Sequence, residues 1–202
     1  MQGVPMFSAK WILPVVVASG SLVAQTANDL NGLAVAASRY VASGMAGSHD
    51  PQPLELHRIS GDNGTPGSGT LMSRATDVQH WTFLYRIDST LPADASADAK
   101  PKPRVAAQAE CTKGVFNNFR FSDKPVANAK SLEFTWVAVP LDTAIQDLNA
   151  NGFIRGFSSV EVLRPDLAQW PDDMVYLFNC PWERREVAIS AQTGAMLWSY
   201  GY

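Results

Sequence analysis

At 202 residues the chain is long enough to bury a substantial core, either as one domain or as two small ones. A hydrophobic content of 46% argues against extended disorder, and a net charge of -3 with no run of Lys or Arg argues against a nucleic-acid footprint. His49, His57, His80, Cys111 and Cys180 contain neither a His-x-x-x-His nor a Cys-x-x-Cys spacing, so neither a metal centre nor a cofactor is expected.

Lys10 precedes an apolar run over residues 11–24. The run is shorter than the roughly 18 to 20 residues that a membrane-spanning helix needs. A positive start, a short apolar middle and a small-residue exit at Ala24 predict a signal peptide over residues 1–24, and with it a periplasmic or secreted protein. The alternative is an uncleaved membrane anchor that continues as a helix into residues 26–45, through the polar Asn28, Asp29 and Asn31.

Leu30, Leu33, Ala34, Ala37, Tyr40, Val41 and Gly44 recur at helical spacing behind Asp29, which predicts a helix capped by Asp29 and stopped by Gly44 and Gly47. Residues 54–59 alternate as a half-buried strand does, and the Gly-rich residues 61–69 read as a loop. That loop lacks the Lys-Ser or Lys-Thr and the following helix of a phosphate-binding turn. Residues 81–87 and 104–111 predict two strands separated by a polar connection over 92–103. Gly114 turns the second of them into a strand from Val115.

Residues 132–139 predict a further strand closed by Pro140, and Asp142 is placed to cap a short helix that ends at Gly152. Strands follow over 160–163, 174–178 and 187–189, and Gly194 supplies the tight turn into a closing strand at 195–198. The same order of helix, strand, loop, aromatic strand, connection, strand, Gly turn and strand therefore occurs twice. Residues 105–116 align loosely with 187–197. The predicted class is α+β, with two tandem units over 25–125 and 126–202.

Four constellations invite a chemical reading. Asp147, Asn149, Asn151 and Gly152 match the opening of a calcium loop. The loop's twelfth position holds Ser158 in place of Glu, and a helix exit explains the same residues. His57 and His80 lack a Gly-x-Ser-x-Gly elbow, and neither cysteine has a neighbouring His in sequence, so no catalytic residues are expected. Cys111 and Cys180 each end a predicted strand, and in an exported protein such a pair predicts a disulfide, which stabilises by about 2 to 5 kcal/mol. Trp170 and Trp182 sit in Pro-bounded connections, where they either anchor a partner or fold back as lids on the sheet.

The second half resembles PepSY-like domains, in which a helix packs on a curled antiparallel sheet as in the cystatin fold. Ala144, Gly152, the strands at 160–162 and 175–178, and residues 186–194 with their turn carry the resemblance. The family favours an Asp-Ala-x-Thr-Gly turn, and Ser190 stands here at the Asp position. The pattern covers the last third of the chain directly and the first half through the repeat. The resemblance implies a noncatalytic binding role in the cell envelope, as an inhibitor or immunity factor for a hydrolase. The competing expectation is a membrane-anchored structural subunit of an envelope or pilus-like assembly, with membrane contact only if residues 1–24 are retained.

Overall fold

The structure is a computed structural model that describes residues 29–45, 54–65, 69–87, 106–122, 126, 129–132, 137–168 and 170–202. The expected signal peptide, His49 and the connection at 92–103 lie outside the described residues. Helix α1 (Leu30–Met45) starts where Asp29 Oδ1 accepts the Gly32 N–H at 2.8 Å, as an N-cap does. Its apolar stripe, Leu30, Leu33, Ala34, Ala37 and Val41, is buried. Gly44 lies inside the helix rather than beyond its end. A Cβ there would meet the Phe119 ring at 2.8 Å, so this glycine permits close packing and does not act as the expected stop.

The chain then forms β1 (Leu54–Asp62), a single 3-10 turn (Ala75–Asp77), β2 (His80–Ile87), β3 (Ala106–Thr112), β4 (Val115–Ser122) and the two-residue β5 (Ala129–Lys130). After α2 (Leu141–Ala150) come β6 (Ser159–Pro165), β7 (Val175–Cys180), β8 (Arg185–Ser190) and β9 (Met196–Gly201). Among the described residues these nine strands make one sheet in the order β4-β3-β2-β1-β6-β7-β8-β9, with β5 paired to β6. Every pairing is antiparallel. The class is α+β. The strand order runs outward in the same sense on both sides of the β1–β6 seam, where Ile59 faces Val162.

Strand alternation sends Ile59, Phe83, Val162, Tyr176, Phe178, Val187 and Ile189 to one face, and both helices cover that face. The two halves share this buried cluster, which is continuous across the seam. Two tyrosines tie the layers together. The Tyr85 hydroxyl lies 3.1 Å from Ser38 Oγ on α1. Ser38 spends its own proton on Ala34 O, so Tyr85 is the donor. The Tyr176 hydroxyl donates to Val139 O at 2.7 Å. Burial raises the pKa of both phenols, that of Tyr85 to about 12.

Three expectations need correction. Residues 133–136 of the predicted strand 132–139 lie outside the described residues, and 137–139 are not strand. Instead, the Ala138 and Val139 N–H groups both donate to Ala191 O. Asp142 does not cap α2, because Pro140 occupies the N-cap with no side-chain bond. The Asp142 carboxylate accepts the Ala75 N–H at 3.1 Å and so ties the 3-10 turn to the helix.

The third concerns Cys111 and Cys180. Both are buried free thiols, on β3 and β7, with β2, β1 and β6 between them. At about 4.8 Å per strand step, that separation far exceeds the roughly 4.4 to 6.8 Å between Cα atoms that a disulfide allows. The expected disulfide is not formed.

Candidate functional site

The calcium-like loop dissolves into secondary structure. Asp147 and Asn149 lie in the last turn of α2, Asn151 Nδ2 donates to Asp147 O, and Gly152 leaves the helix at φ +94°. A helical path points Asp147 and Asn149 to different sides, so they do not converge on an ion. The Asp147 carboxylate instead fills the space beside Gly194, where a Cβ would collide with it. Among the described residues no group of three potential ligands surrounds a metal position.

The described histidines are committed to structural bonds. His57 is 5% exposed, with Nδ1 2.9 Å from Ala129 O and Nε2 3.3 Å from Glu55 Oε2. Since a carbonyl only accepts, Nδ1 carries a proton and clamps β5 to β1. His80 Nδ1 lies 3.3 Å from Asp62 Oδ2. Neither imidazole has a Ser or Cys as a partner among the described residues.

A cleft of about 320 Å³ is lined by Asn63, Thr65, Thr70, Met72, Asp77 and Gln79, among others. The one carboxylate among its described lining residues, Asp77, already accepts the Ser73 and Arg74 N–H groups at 2.8 and 2.9 Å. Asn63 spends its amide on Thr65 N and Thr70 O. Among the described residues the cleft presents a turn and no reactive group.

The second face of the sheet carries no helix among the described residues. Its rows run straight across the seam, one as Glu110, Thr82, Ser60, Glu161, Leu177, Ala188 and Trp198. The first-half side is polar. The second-half side is apolar, built on Leu163, Val175 and Ala188 with Leu177, Leu197 and Trp198 packed around them. Trp170 lies on this patch, its ring 4.2 Å from that of Trp198 at 36°. Trp170 is thus a lid, half-buried over the outer face.

Trp182 does the opposite. It stands in the β7–β8 connection, where the fold leaves it 65% exposed, and Arg155 lies 5.4 Å from its ring centroid. Tyr200 (64%), Tyr202 (62%) and Ile154 (73%) are exposed at the same end of the sheet. Tyr200 faces Glu186 in the row that continues to Asn179, and the Tyr202 hydroxyl donates to Asn179 Oδ1 at 2.8 Å. The Tyr202 N–H donates to Arg184 O, which fixes the end of β9 against the Trp182 turn. Sequence reading picked out Trp182 but missed Tyr200, Tyr202, Ile154 and Arg155. The alternation of β9, with Trp198 and Tyr200 on one side, was the available signal for the tyrosines.

No family model matches the chain, and no curated protein matches it. A crystal structure of a candidate lipoprotein from Clostridium difficile 630 is similar, with a TM-score of 0.48 and 6% identity over 84% of this chain and 90% of that one. A likeness this remote carries no functional argument.

Proposed function

We propose that this chain is a noncatalytic, exported binding protein whose contact surface is the corner formed by Trp182, Tyr200, Tyr202, Ile154 and Arg155. One observation carries the reading. Four large apolar or aromatic side chains, each more than 60% exposed, gather at one end of a sheet that has a complete core without them. Trp, Tyr and Arg are the residue types that dominate binding hot spots, and a folded protein gains nothing by leaving such a cluster in water. Export rests on residues 1–24, and the hydrolase as partner class rests on the resemblance to PepSY-like domains. The tandem-unit reading finds support in the strand order repeated on each side of the seam. The noncatalytic reading is supported by the structural bonds of His57 and His80.

The test is a pull-down with residues 25–202 against envelope and secreted fractions of the host, run with wild type, Trp182→Ala and Trp170→Ala. One stoichiometric hydrolase, lost with Trp182→Ala and kept with a correctly folded Trp170→Ala, is the expected result. Recovery of further copies of the chain or of assembly subunits would overturn it in favour of the structural-subunit reading.

A further inference from the structure

The charges around Trp182 are uneven. Arg58, Arg120 and Arg164 each form an ion pair, with Glu161, Glu110 and Asp172. Arg155 and Arg184 are exposed and form no ion pair among the described residues. Glu183 and Glu186, the acidic residues of the same hairpin, are half-buried, and one Glu183 carboxylate oxygen is covered without a hydrogen-bond partner among the described residues. Among the described residues the exposed charged side chains beside the indole, Arg155 and Arg184, are thus both cationic, on a chain whose net charge is -3.

The backbone adds an independent observation. Arg184 adopts φ +53° in the four-residue β7–β8 connection, a left-handed conformation that glycine takes without a Cβ clash. The turn alone would be served better by glycine. An arginine at this position places a guanidinium two residues from the exposed indole, against the preference of the backbone. Strained backbone of this kind concentrates where a side chain is used.

We propose that the Trp182 corner recognises an acidic protein segment, with Arg155 and Arg184 binding its carboxylates on either side of the indole. This inference rests on the binding-protein reading and specifies the chemistry of its partner. Arginine suits the role because its planar fork binds carboxylates bidentately while stacking on an aromatic ring.

The probe is poly-L-glutamate, titrated into residues 25–202 at low ionic strength, with poly-L-lysine of equal length as the control. Binding is followed by Trp fluorescence and by the Trp182 indole N–H resonance. The expected result is a shift of that resonance with poly-L-glutamate alone, weakened about tenfold by Arg155→Gln or Arg184→Gly and abolished at about 0.5 M salt. Arg184→Gly relieves the left-handed strain, so its Tm should equal or exceed the wild-type value, which separates lost binding from lost folding. No shift with poly-L-glutamate, an equal response to poly-L-lysine, or unaltered binding by both variants would overturn the inference. A host protein captured through Trp182 from a chain that ignores poly-L-glutamate would sink this inference alone. Failure to capture any host protein would sink the binding-protein reading beneath it.

Discussion

Ser190 Oγ donates to Asp173 Oδ2 at 2.6 Å and, fully buried, accepts the N–H groups of Gln192 and Thr193 at 3.2 and 3.1 Å. The serine thus gathers the backbone donors of its turn, while the carboxylate that accepts its proton comes from Asp173, just before the neighbouring strand β7.

Ser190→Ala removes the acceptor for two N–H groups and leaves both Asp173 oxygens without a partner among the described residues, since Oδ1 already has none there. Urea denaturation should show a loss of about 2 kcal/mol. Ser190→Asp places two carboxylates within contact distance and should destabilise at neutral pH, with most of the loss recovered when Asp173→Asn is added. A neutral Ser190→Ala would contradict this account of the turn.

The thiols should be inert in the folded chain. Burial raises the Cys111 pKa, and burial followed by the neighbouring Glu183 charge pushes Cys180 up to about 12, so neither forms thiolate at neutral pH. Thiol titration of residues 25–202 should find no fast-reacting group in the native protein and two after denaturation, and alkylation should find no disulfide. A native disulfide would refute the sheet order that separates β3 from β7.

Asp172 joins the β6–β7 connection to β6 and β5. Its oxygens accept from Arg164 Nε and Nη2 at 2.8 and 2.9 Å and from Lys130 Nζ at 3.0 Å. These hydrogen bonds, Arg164 first, lower its pKa from the ordinary 3.8 to about 2. The folded-state pKa is depressed, so the contribution to stability is complete above pH 4 and is lost as pH falls towards 2. Solvent exposure keeps it small. Asp172→Asn should flatten the acid limb of stability between about pH 4 and 2, read by thermal melts. An unchanged acid limb would contradict the prediction.

The sequence made the sheet legible because its strands are short, alternating and punctuated by glycine. Residues 81–87 and 174–178 were placed within a residue or two. The β1–β6 seam was not legible, because pairing across about 100 residues leaves no local pattern. The same blindness produced the disulfide: Cys111 and Cys180 end comparable strands, and only strand order reveals that three others intervene. Gly44 was misread because a glycine that admits Phe119 and a glycine that ends a helix look alike in one dimension. Trp170 and Trp182 carry identical sequence signals, and the neighbour that separates them, Trp198, is set by the β8–β9 register.

The central claim is that the Trp182 corner meets a protein partner. The most direct measurement places a photo-crosslinking amino acid at position 200 or 202 in the host, with position 35, exposed on α1, as the control. The account predicts one discrete adduct of the same mass from 200 and 202 and none from 35. No adduct from the corner, or the same adducts from all three positions, would contradict it.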